Sequence, residues 1–96
     1  MSNMKAEPLL QERRVLAEDS FVELVVWQVP TPVAGSAHGF KYRLALVVKS
    51  ICVLRYDNES GKGDRKHLDG VETPCAFKSP ARLLADFWDG VNLWRS

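Results

Sequence analysis

Between Arg55 and Gly70 the chain reads RYDNESGKGDRKHLDG, which places Arg55, Tyr56, Asp57, Asn58, Lys62, Asp64, Arg65, Lys66 and His67 in one short stretch. Those side chains can hold an anion, accept or donate a proton, and close a turn. A polar loop held by a rigid sheet is where binding and catalytic groups concentrate, and the stretch is expected to be such a loop. His67 and His38 are the two imidazoles of the chain. Imidazole titrates near neutrality, so either suits general acid or base work. Both fall in or beside expected loops, an arrangement that would let them converge. Exposed, idle loop histidines are the plainer reading.

Other chemistries fit the pattern less well. Gly61-Lys62-Gly63 lacks the Ser or Thr that a phosphate loop needs after its lysine, and Tyr56 stands where its first glycine belongs. Gly61 and Gly63 are better read as turn residues. A metal site needs three or four ligands. The two histidines with Asp57 and Asp64 would supply them only if separate loops folded together, so no metal and no cofactor is expected. Asp57-Asn58 reads as a turn closed by side-chain-to-backbone bonds. There is no Gly-x-Ser-x-Gly elbow, and Cys52 and Cys75 fall in expected strands, which disfavours a nucleophilic hydrolase. Two cysteines are also too few for a disulfide framework, and two buried thiols are the simplest expectation.

Composition narrows the partners. The formal net charge is +1, so no global basic field points to nucleic acid. The charge is uneven, however. Residues 41–67 hold seven basic and three acidic side chains, while both flanks are slightly acidic. A local patch of this kind suits a phosphate chain, or simply a solvated face. No apolar run approaches the ~18 residues of a membrane span, and MSNMKAEPLL does not read as a secretory signal. A cytoplasmic protein without membrane contact is expected. The Asn58-Glu59-Ser60 sequon is idle without secretion.

Ninety-six residues fit one domain with one core. Residues 5–15 suit a short helix or an edge strand, because Pro8 is tolerated only at an edge. Residues 17–20 read as a turn. Phe21–Val29 is rich in β-branched and aromatic residues and reads as a strand. PTPVAGSAHG, residues 30–39, is a loop. Phe40–Val48 alternates with period two: Phe40, Tyr42, Leu44, Leu46 and Val48 share one face. Lys49-Ser50 is short enough for a two-residue hairpin, and Ile51–Asp57 returns antiparallel. Tyr56 then points inward with its hydroxyl near the loop. Arg55 points outward, and with Arg43 would form part of a phosphate-binding surface. Arg65–Leu68 and Val71–Phe77 read as short strands joined at Asp69-Gly70, the second interrupted by Pro74. Ser79 caps a helix that begins at Pro80, with a stripe of Leu84, Phe87, Trp88, Val91 and Trp94. The expected fold is α+β: an antiparallel meander of five to six strands with one C-terminal helix packed on one face. The single domain divides into an edge segment (1–20), a sheet (21–77) and a helix (79–95).

The runs SFVELVVWQVP, GSAHGFKYRLALVV, CVLRYDNESGKGDRKH and LLADFWDGV resemble the TumE family of small toxin–antitoxin proteins. The most specific part is Tyr56-Asp57-Asn58, Gly61-Lys62-Gly63-Asp64 and His67. The resemblance implies a prokaryotic, cytosolic toxin with an antitoxin partner and, by analogy with other small toxins, an RNA target. Relatives often carry Asp-His-x-His where this chain has Asp64-Arg65-Lys66-His67. Arg65 keeps positive charge there and suits phosphate contact better than proton transfer. On this reading Arg43, Arg55, Lys62, Arg65 and Lys66 hold the RNA backbone. His67, with Tyr56 or His38, performs acid–base cleavage, and Asp57, Asn58, Gly61, Gly63 and Asp64 order the loop. The alternative is a non-enzymatic interaction module that docks by its loop or sheet edge and is sensitive to changes at Trp27. The sequence leaves the target RNA, the partner and the oligomeric state open.

Overall fold

The computed structural model describes residues 5–95; residues 1–4 of the expected edge segment and Ser96 lie outside the described residues. Six strands form one antiparallel sheet in chain order: β1 (Glu7–Ala17), β2 (Ser20–Gln28), β3 (Phe40–Val48), β4 (Ile51–Glu59), β5 (Gly63–Leu68) and β6 (Val71–Pro74). One helix follows, α1 (Pro80–Arg95). This is the α+β meander with a C-terminal helix that the alternation predicts.

The ambiguous N-terminal segment is a strand. β1 pairs along β2 from Glu7↔Gln28 to Ala17↔Ser20, with irregularities beside Pro8 and Ala17. Proline survives there because β1 is an outer strand, where half the backbone donors have no neighbour to serve. β3 and β4 are joined by Lys49 and Ser50, whose φ values of 51° and 67° are both left-handed. That is the backbone a two-residue hairpin requires, because it matches the right-handed strand twist. Neither residue is glycine, so the turn stores strain. The Lys49 N–H donates to the Asp19 carbonyl at 2.7 Å and braces it.

The expected polar loop is mostly sheet. β4 continues through Asp57 and Asn58 to Glu59, and β5 begins at Gly63, so residues 60–62 alone form the connection. Asp57 and Asn58 close no turn; both are buried in a strand. β6 is correspondingly short and ends at Pro74, well before Phe77.

Even-numbered residues of β2 to β4 build the core: Val22, Leu24, Val26, Tyr42, Leu44, Leu46, Leu54 and Tyr56. A register shift between Leu46 and Val47 sets two β4 residues, Cys52 and Val53, against Val47, the signature of a β-bulge. α1 covers this face with Leu83, Phe87 and Val91. Leu83, rather than Leu84, is the buried residue of the first turns, while Leu84 and Trp88 pack at the margin and Trp94 is exposed. Ser79 Oγ accepts the Arg82 N–H at 3.1 Å, the cap that starts the helix. Gly90 faces β4 so closely that a Cβ would lie 2.8 Å from Leu54 Cδ2. That close approach explains a glycine where helix propensity disfavours one. Among the described residues, the opposite face of the sheet carries no helix.

Candidate active site on the open sheet face

Strand alternation sorts the candidate residues onto two faces. Tyr56, Asn58, Asp64 and Lys66 fall on the helix side, and Arg43, Arg55, Asp57, Arg65 and His67 on the open side. Along β5, neighbours in sequence therefore part company.

The open face is built in cross-strand rows. One row runs Val25, Arg43, Asp57, Arg65, Pro74 and the next runs Glu23, Ala45, Arg55, His67, Glu72. His67 Nε2 lies 2.8 Å from Arg55 Nη2 and 2.9 Å from Glu72 Oε2. A guanidinium only donates, so the Arg55 bond needs a bare Nε2, whereas the Glu72 contact needs a proton there. The two contacts are alternatives, chosen by where the His67 proton sits. Arg55 Nε is 2.9 Å from Asp57 Oδ2, and Arg65 Nε is 3.6 Å from Glu72 Oε1. Both contacts are close enough for charge pairing, yet neither Nε–H is aligned for a hydrogen bond, and both atoms are buried. Buried donors without acceptors are unfavourable by about 1–3 kcal/mol each. Arg43 Nη1 stands 3.7 Å from Glu23 Oε1, a loose and half-exposed pair.

The helix side holds a second polar group of different character. Asp64 Oδ2 accepts from Tyr42 Oη at 2.6 Å and from His38 Nε2 at 2.7 Å, and its Oδ1 accepts from Ser36 Oγ at 2.8 Å. The Phe40 N–H donates to His38 Nδ1 at 3.2 Å, which places the ring proton on Nε2. The ring stacks on Phe77 with centroids 3.7 Å apart. Asn58 replaces the strand ladder where β3–β4 pairing stops: its Oδ1 accepts the Tyr42 N–H at 2.9 Å and its Nδ2 donates to the Phe40 carbonyl at 2.7 Å. Burial pushes the Tyr42 hydroxyl far above its ordinary value, aided by its bond to Asp64. Burial also raises Asp64, but the bonds from Tyr42, His38 and Ser36 outweigh it and hold the carboxyl below 3.8. Burial, with the Asp64 charge nearby, raises the Cys75 thiol. Both ring nitrogens of His38 are engaged, so this group is a lock that ties residues 36–40 to β5.

The same lock explains the glycines. Gly63 (φ 75°) and Gly35 (φ 93°) meet backbone to backbone: a Cβ on Gly35 would lie 2.8 Å from Gly63 N. The Gly61 N–H donates to the Ala34 carbonyl at 2.6 Å. The glycines of the Gly-Lys-Gly run thus seat the 30–39 loop.

Several expectations change. His38 and His67 do not converge, because they lie on opposite sides of the sheet. Tyr56 is buried edge-on to Phe87 at 6.3 Å and cannot serve His67. Lys66 Nζ sits 5.6 Å over the Tyr56 ring, away from the arginines. Lys62 pairs with Glu59 at 3.4 Å in the exposed turn. Cys52 is exposed and Cys75 half-buried, so the thiols are not both core residues. Among the described residues, no three His, Cys, Asp or Glu side chains are grouped to hold a metal. Sequence reasoning missed Glu72, Ser36 and Tyr42 as site residues. Glu72 gave no signal, since only the β5–β6 register sets it beside His67.

The family model described as Toxin TumE matches residues 5–95. The chain belongs to the TumE toxin family. The match covers both polar groups and every element of the fold. No curated protein and no solved structure matches it significantly. Membership supports a toxin-like role and an antitoxin partner. No described helix is long and apolar enough to cross a membrane.

Proposed function

We propose that this toxin cleaves single-stranded RNA on the open face, through the RNA's own 2′-hydroxyl. One observation carries the reading: His67 Nε2 sits between the Arg55 guanidinium at 2.8 Å and the Glu72 carboxylate at 2.9 Å. Glu72 takes the proton of the 2′-hydroxyl. The 2′-oxygen attacks phosphorus, the bond to the 5′-oxygen breaks, and protonated His67 gives its Nε2 proton to that leaving oxygen. Arg55 and Arg65 donate to the non-bridging oxygens as charge builds there. The products are a 2′,3′-cyclic phosphate and a 5′-hydroxyl end. Glu72 then holds a proton and His67 lacks one. Their contact lets the proton return, which resets the pair.

The test compares purified wild type, His67→Ala and Glu72→Gln on a labelled single-stranded RNA, with growth followed on induction in a host without an antitoxin gene. Each variant should cleave about 10²–10⁴-fold more slowly, and wild-type ends should carry the cyclic phosphate. Wild-type cleavage rates in His67→Ala would remove the proton-transfer role.

A second reading rests on β1, an eleven-residue outer strand with Leu9 and Val15 exposed. Strand addition along it would seat an antitoxin. Growth arrest indifferent to His67 would favour that surface as the active one.

A further inference from the structure

A groove on the open face, beside the arginine rows, has an apolar floor and a cationic rim. Val25, Trp27 and Val29 line it with Lys41 and Arg43, and it encloses about 270 Å³. Lys41 and Arg43 also line a neighbouring groove of about 230 Å³, with Arg55 and Asp57. Trp27 is only half-buried and lies opposite Lys41 in the β2–β3 register. Its indole forms no ring pair and no hydrogen bond among the described residues. Lys41 is exposed and has no ion pair among the described residues. A large flat aromatic surface left half-open beside a free ammonium and a loosely held guanidinium is complementary to a ligand with a flat π-face and adjacent negative charge. An unpaired nucleotide has both. A duplex keeps its base faces stacked away, so it cannot use the indole.

We propose that this groove is a nucleobase subsite, in which one unpaired base of single-stranded RNA stacks on Trp27 while Lys41 and Arg43 hold its flanking phosphates. The proposal rests on the RNA reading of the neighbouring rows and deepens it. From the strand register and spacing, Trp27 stands roughly 15 Å from Arg55. The stacked base therefore belongs a few nucleotides away from the phosphate that is cut, and the groove sets where along the strand cleavage falls.

The experiment measures binding rather than cleavage. The probe is a short single-stranded RNA with 2′-O-methyl riboses, which cannot react, titrated against wild type, Trp27→Ala and Trp27→Phe. Circular dichroism and thermal melting check folding. Trp27→Ala should weaken binding about tenfold, and Trp27→Phe should keep most of the affinity. The RNA should quench tryptophan emission of wild type but far less that of Trp27→Phe. A duplex of the same sequence should be indifferent to Trp27. The 2′-O-methyl probe cannot be cut, so a failed cleavage mechanism does not disturb this result. Equal affinity in wild type and Trp27→Ala would overturn the subsite alone. Wild type that binds no single-stranded RNA would overturn it together with the RNA reading.

Discussion

Asp64 carries a carboxylate into a place that water barely reaches; its side chain is 10% exposed. Three donors, from Tyr42, His38 and Ser36, make that tolerable. The pH dependence of stability follows from the directions of the shifts. Asp64 titrates below its ordinary 3.8 when folded, so its contribution is present above that value and is lost as pH falls through the lower, folded one. Tyr42 titrates above its ordinary 10.0 when folded, so its contribution is complete below 10.0 and is lost as pH rises beyond it. Denaturant midpoints measured against pH should therefore show a neutral plateau with a decline on each side. Asp64→Asn should lower the plateau by about 1–3 kcal/mol and flatten the acid limb. An unchanged acid limb in that variant would mean that Asp64 is not the titrating group.

Among the elements, the 30–39 loop and the β4–β5 turn depend on each other through two glycines that touch. A Cβ on Gly63 would meet the Gly35 carbonyl oxygen at 2.9 Å, whereas one on Gly61 would meet nothing within 4 Å. Both residues have positive φ. Gly61→Ala should therefore show only the left-handed backbone penalty, about 1–2 kcal/mol. Gly63→Ala should add a backbone clash and total about 2–5 kcal/mol. Urea unfolding of the two variants checks the difference, and equal losses would mean that the contact between loop and turn is slack.

At the level of the whole molecule, folding redistributes charge. The basic middle of the sequence suggests a free cationic patch, but Glu23 and Glu72 come from outside it and sit against Arg43, Arg65 and His67. Asp57 lies against Arg55 within it. A phosphate that displaces a carboxylate exchanges one counter-ion for another. Lys41 and Arg43 are left as the cations most able to release ions from RNA. The slope of log affinity against log salt should then be about −1.4, for two phosphates, rather than the −3.5 that five free cations would produce. Fluorescence titrations from low to high salt measure it; a slope near −3.5 would show that the face opens its ion pairs for RNA.

The meander itself was legible in the chain. Period-two alternation in Phe40–Val48, β-branched density in Phe21–Val29 and the Ser79-Pro80 helix start are local signals, because burial on one face and capping act within a few residues. The polar segment from Asn58 to Asp64 looked like a loop because its residues are hydrophilic. Its strands are held by pairing and by Asn58 and Asp64 bonds that reach to residues 36–42. β1 was ambiguous for a similar reason: it becomes a strand by lying along β2. What only the tertiary structure decided is which chemical groups meet. Face assignment depends on register carried across six strands, and a slip of one residue exchanges the faces. That register separates His38 from His67, buries Tyr56 against the helix, and brings Glu72, from a short edge strand, to the one imidazole that stands among the arginines.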